Sequence, residues 1–118
     1  MNEVKKNHIY MPRGDTFITT VTIKRKGSGD IYVPVEGDAI RFALKHAKKT
    51  PDGSAFTDRD PLILKDIPYD TLILKLDPED TKSLGFGEYV YDVQITRTDG
   101  TVETFIEEAP FTLKPEVD

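Results

Sequence analysis

The chain has 118 residues, no cysteine, a formal net charge of −5, and 37% hydrophobic against 31% charged residues. That length predicts a single domain, residues 1–118, able to fold without metal or disulfide. The missing thiols exclude a disulfide framework, thiolate catalysis and a cysteine-based zinc site, and the acidic balance argues against nucleic acid as the main partner.

Residues 1–7 are polar and read as a loose tail, with no apolar run that would make a signal peptide. Residues 8–11 predict a short strand stopped by Pro12. Arg13-Gly14-Asp15 predicts a turn. Residues 16–24 then alternate: Phe17, Thr19, Val21 and Ile23 share one face, Ile18, Thr20, Thr22 and Lys24 the other, and the β-branched content is high. Two glycines mark a turn over 25–30. Residues 31–33 predict a strand fragment ended by Pro34. Residues 39–45 alternate again, with Ile40, Phe42 and Leu44 inward. Residues 46–61 form a long irregular segment, and a loop of that length in a small domain is functional or mobile.

Strands follow at 62–65 and 71–76, the second with Leu72, Leu74 and Leu76 on one face. Asp77-Pro78 opens a short helical turn at about 78–84, with Glu79 and Asp80 near its positive end and Gly85 closing it. Residues 88–97 make the cleanest strand. Tyr89, Tyr91, Val93 and Ile95 fall on its inner face, and Glu88, Asp92, Gln94 and Thr96 fall on the solvent- or partner-facing side. Asp99-Gly100 predicts a hairpin turn, followed by a strand at 102–106, a break at 107–110, a last strand at 111–114 and a tail from 115. Seven to nine short strands with turns every 8–12 residues or so are the pattern of a sandwich or barrel. No stretch approaches the ~18 apolar residues of a membrane helix, so a soluble protein without membrane insertion is expected.

Gly87-Glu88-Tyr89, after a helical turn and opening a central strand, resembles the tyrosine corner of immunoglobulin-like sandwiches, in which the tyrosine hydroxyl bonds upstream backbone. The order of Gly14-Asp15-Thr16-Phe17, Ile40-Arg41-Phe42, Gly87-Glu88-Tyr89-Val90-Tyr91-Asp92-Val93-Gln94, Asp99-Gly100-Thr101 and Phe111-Thr112-Leu113 resembles the small immunoglobulin-like modules of phage and prophage structural genes, including the N-terminal domain of baseplate upper proteins. The resemblance spans about residues 12–114. It implies an immunoglobulin-like antiparallel β-sandwich with one short helical turn. It also implies a non-enzymatic tail or baseplate component, made in the bacterial cytoplasm and virion-associated, that works by contact with itself or with other tail proteins.

No residue set competes strongly with that reading. Arg13-Gly14-Asp15 spells an integrin-type tripeptide but sits where a turn into a strand explains it. Asp58, Asp60, Asp66 and Asp70 form an acidic series, without the spacing that supplies the six to eight or so oxygens calcium takes. Glu79, Asp80 and Glu88 have helix-end or outward positions that explain them without glycoside chemistry. His8 and His46 stand alone. Lys24-Arg25-Lys26 and Lys45 to Lys49 read as charged strand ends. Tyr10, Tyr32, Tyr69 and Phe56 are aromatics that would mark a contact patch if they cluster. Neither a catalytic residue, a cofactor nor a metal is expected. The structural corner is Gly87 and Tyr89, and the candidate contact loop carries Phe56, Asp58, Arg59 and Asp60. The alternative is an immunoglobulin-like module that binds a surface glycan or a protein.

Charge is uneven. Residues 1–50 carry 10 Lys/Arg against 5 Asp/Glu, and residues 51–118 carry 6 against 16. A sandwich that interleaves strands of the two halves would mix those charges.

Overall fold

Alternating burial sets the centre of the molecule. In a computed structural model that describes residues 3–5, 7–24, 28–47 and 61–115, Tyr89, Tyr91, Val93 and Ile95 are buried on one face of strand β7 (Gly87–Thr96). The remaining elements, in chain order, are β1 (Glu3–Lys5), β2 (His8–Pro12), β3 (Phe17–Thr20), β4 (Ala39–His46), β5 (Ile63–Ile67), β6 (Ile73–Leu76), the helical turn α1 (Pro78–Lys82) and, after β7, β8 (Val102–Lys114). One sheet has the order β1-β2-β8-β7-β4-β5, and a second pairs β3 with β6. The chain is therefore mostly β with one short helical turn.

The antiparallel sandwich expected from the sequence needs correction. The larger sheet is a curled, open half-barrel of mixed polarity. Its β2 runs parallel to β8, from Ile9 opposite Phe111 to Pro12 opposite Lys114. Parallel neighbours need a crossing connection rather than a hairpin, and here nearly the whole chain lies between them. The Arg13 N–H bonds the Lys114 carbonyl at 2.9 Å, after which the chain leaves for the other sheet.

Four local expectations also change. Glu3–Lys5 is a strand paired with β2, not part of a loose tail. Residues 31–33 form only an isolated bridge, Ile31 to Lys24. The helical turn stops at Lys82, where Leu84 N–H bonds the Thr81 carbonyl at 3.0 Å in a tighter turn. Residues 107–110 do not break the last strand: β8 runs through them with a register shift opposite Asp92, and Glu108 adopts φ +47°. An inserted residue at such a bulge bends a strand without ending it.

Both sheets contribute to one core. Phe17, Leu74 and Leu76 from the small sheet join Phe42, Leu44, Tyr91 and Phe111 from the large one. The Phe42 ring lies 5.3 Å from Tyr91 and 6.5 Å from Phe111, tilted to each, within the range that favours aromatic pairs. Strand order interleaves the basic first half with the acidic second, since β2 lies beside β8, β4 between β7 and β5, and β3 beside β6.

Phe42 is fully buried. Phe42→Ala is expected to cost about 3–5 kcal/mol, through lost transfer energy and the cavity left behind. Phe42→Leu should cost markedly less. Urea unfolding midpoints measure both, and equal losses would show that ring packing at this position contributes nothing.

Candidate functional site

The loop-to-strand corner before β7 is tied at several points. The Tyr89 hydroxyl donates to the Gly85 carbonyl at 2.6 Å. Gly87 has φ +135°, a backbone conformation that L side chains rarely adopt, which explains glycine there. The Arg13 guanidinium lies 4.2 Å from the centre of the Phe86 ring and donates to the Leu84 carbonyl at 3.2 Å. Gly14 N–H donates to the Thr81 hydroxyl at 2.9 Å. The Arg-Gly-Asp turn is thus packed on the helical turn. Asp80 accepts from Asp77 N–H at 2.7 Å and from Lys65 Nζ at 2.9 Å, so its carboxylate is committed to holding α1 and β5 together.

The outer face of β7 holds what sequence reasoning missed. Asp92, expected to face solvent or a partner, is only 8% exposed. Its carboxylate accepts from Lys45 Nζ at 2.9 Å and from Glu108 N–H at 2.6 Å. The first bond crosses to β4 and the second closes the bulge of β8. Alternation correctly assigned the face but could not show that Lys45 and the bulge cover it. Beside this pair is a hollow of about 260 Å³, lined by Arg41, Ala43, Lys45, Pro61, Leu64, Asp92 and Gln94.

On the inner face, the Tyr91 hydroxyl donates to the Asn7 carbonyl at 2.5 Å. Burial pushes the Tyr91 phenol up to about 12. Burial raises Tyr89 too, against the opposing effect of its bond to Gly85. Tyr91 forms part of the wall of a cavity of about 460 Å³ that opens between β3 and β8. Ile9, Leu74, Val93 and Ile106 supply apolar wall, and Thr19, Thr20, Thr22 and Lys24 line the β3 side.

At one end of the sheets, Arg97 lies 4.9 Å from the Tyr32 ring centre and bonds Glu103 at 3.1 Å, while Tyr32 stacks on Phe105 at 6.0 Å. The Tyr32 hydroxyl donates to Asp38 at 2.9 Å, and Asp38 also accepts from Val35 N–H at 3.0 Å. A Cβ on Gly37 would meet the Thr98 methyl at 2.5 Å, so the two turns touch only because that residue is glycine. This frame braces residues 32–38, beside which Ile31, Val33 and Val35 are exposed by 64%, 74% and 56%.

The other sequence candidates do not converge. Phe56, Asp58, Arg59 and Asp60 lie outside the described residues. Among the described residues Asp66 meets Arg41, at 3.4 Å and on an exposed face. His8 stacks on Tyr10 and shares hydrogen bonds with the Tyr10 hydroxyl at 3.0 Å and the Thr112 hydroxyl at 2.8 Å. His46 stacks on Tyr89 at 5.8 Å. Tyr10 and Tyr32 are each covered by neighbouring residues and form no joint patch with one another. Among the described residues no three His, Cys, Asp or Glu could hold a metal, and no helix is long and apolar enough to cross a membrane. No family model, no curated protein and no solved structure matches the chain.

Two outcomes follow from β7. Asp92→Ala leaves the Glu108 N–H without its acceptor and Lys45 without its anion, and should cost about 1–3 kcal/mol. Asp92→Asn retains an acceptor and should cost less, as read from denaturant midpoints. Tyr91 has a folded-state pKa of about 12 against 10.0 for the free phenol. The folded state therefore holds this proton more tightly. The resulting stability is fully present below pH 10 and is lost as pH rises through about 12. Unfolding midpoints measured across that range should fall, and Tyr91→Phe should flatten the fall.

Proposed function

We propose that this chain is a non-enzymatic structural and assembly module of a phage or prophage, belonging to a tail or baseplate and acting through contacts with its own copies or with other tail proteins. The chain is a β-rich domain without cysteine and, among the described residues, without a metal-binding cluster. The carrying observation is the exposure of three aliphatic side chains, Ile31, Val33 and Val35, in a segment braced by the Tyr32–Asp38 and Arg97 contacts. Apolar side chains displayed on a braced frame suit a protein contact. The immunoglobulin-like reading draws support from the strand order: β8-β7-β4-β5 opposite β3-β6 matches the connectivity of variable-type sandwiches. The Tyr89 corner supports it as well.

Glycan binding has less support, because Tyr10 lies against His8 and Lys114 and Tyr32 against Phe105 and Arg97. Stacking platforms for sugars would need open faces.

The test is location. Particles purified after prophage induction of the source bacterium should contain this chain, and immunogold should label tails or baseplates. Tail genes beside its own gene would agree. A chain absent from particles and encoded within a metabolic operon would overturn the proposal.

A further inference from the structure

We infer that the free edge of β3 is a self-association edge, at which β3 of a second copy pairs antiparallel about a two-fold axis through Thr20. The inference rests on the reading of this chain as an assembly module and names the surface used.

The backbone shows which groups are free. Val21 N–H bonds the Leu72 carbonyl at 2.8 Å, and the Ile23 carbonyl accepts from Tyr32 N–H at 2.8 Å. Odd-numbered residues of this run therefore spend their backbone groups on the chain leading into β6 and, at Ile23, on Tyr32. By the alternation of an antiparallel strand, those of Ile18, Thr20 and Thr22 point the other way. Among the described residues no strand pairs there. The space beside that edge is open, because the 460 Å³ cavity reaches it at Thr19, Thr20 and Thr22.

The side chains leave the edge unguarded. Outer strands are normally protected from pairing by charges, proline or bulges. β5 carries Lys65 and Asp66, and β6 carries Lys75. The uncovered first half of β8 carries Glu103 and Glu107. From Thr16 to Ile23 there is neither charge nor proline, and Ile18 is 60% exposed on the outer face.

The occupant follows from charge and register. About a two-fold axis at Thr20, Thr20 meets Thr20 of the second copy and Ile18 meets its Thr22. Every free N–H and C=O of the three residues then finds a partner. The same register sets exposed Lys24 of one copy opposite Thr16 of the other, next to exposed Asp15. A positive and a negative residue thus lie near each other at both ends, with no charge between. The inward side chains of the incoming strand cover the mouth of the cavity.

Light scattering after size exclusion, over a wide concentration range, should show a dimer. Thr20→Lys places two ammonium groups together at the axis and should give a monomer with an unchanged circular dichroism spectrum. In a chain without cysteine, Thr20→Cys should cross-link to a covalent dimer under mild oxidation, since facing bonded residues lie about 5.5 Å apart. Lys75→Cys, on the outer face of β6, should not. Dimers that persist in Thr20→Lys, with no cross-link through Thr20→Cys, would overturn this edge and leave the assembly reading standing. A chain that stays monomeric at every concentration would overturn the edge and remove self-association from the proposed function, leaving the particle experiment to judge the rest.

Discussion

Two tyrosine hydroxyls have to be satisfied inside this molecule, and much of its architecture follows from how that is done. Tyr89 and Tyr91 point from β7 into the core and are 7% and 3% exposed. Their rings supply area that a chain with no tryptophan needs. Each hydroxyl must find an acceptor, because a buried donor left unpaired is costly. Tyr89 finds the carbonyl of Gly85 and Tyr91 that of Asn7. The first fixes how the chain turns from α1 into β7. The second anchors the residue that joins β1 to β2, so the N-terminal hairpin is held at the centre of the sheet it edges.

Asp92 solves the complementary problem on the other face. At the bulge in β8 Asp92 accepts from the Glu108 N–H while holding Lys45 of β4. Below the bulge β8 pairs with β7 alone. Beyond it, β8 pairs with both β7 and β2. One carboxylate therefore stabilises the point where the last strand changes its neighbours and the sheet turns. A bulge in that position increases local twist, in keeping with a large sheet that curls instead of lying flat.

The sequence was most informative where a face is decided by period alone. Tyr89, Tyr91, Val93 and Ile95, or Ile40, Phe42 and Leu44, alternate because one face is buried along their length. The capped turn at Pro78 was equally legible, since proline and acidic residues act locally. Pairing direction was not legible. Nothing in residues 8–12 specifies a parallel neighbour a hundred residues away, and the three residues of β1 show no periodicity. Asp92 and Lys45 were misread for a related reason: each has a charged side chain at an outward position, and only the fold brings the two together. The 107–110 segment reads as a break because proline and a run of glutamates oppose strand formation, yet Ala109 resumes register opposite Tyr91. Of the site proposed from sequence, the corner residues lie within the described structure, and the contact loop at Phe56 to Asp60 lies outside it.

The same contrast separates the parts of the chain that hold the fold from those free to do something else. Charged side chains near the centre are committed: Asp80 and Asp77 to Lys65, Asp92 to Lys45, and Glu103 to Arg97. Lys65 is raised above its ordinary value, mainly by its bond to Asp80, and its proton stays on at any physiological pH. Such pairs fix geometry more than they add stability. The uncommitted surface is of another kind. It includes Ile18, Ile31, Val33 and Val35, all exposed, and the run from Thr16 to Ile23 carries no charge. Exposed aliphatic side chains contribute little to folding where they stand, and an unguarded strand edge carries a risk of unwanted pairing. A neutral β3 among charged outer strands is therefore difficult to explain by stability alone. The proposed contact with another polypeptide would give those residues a role that the isolated fold does not.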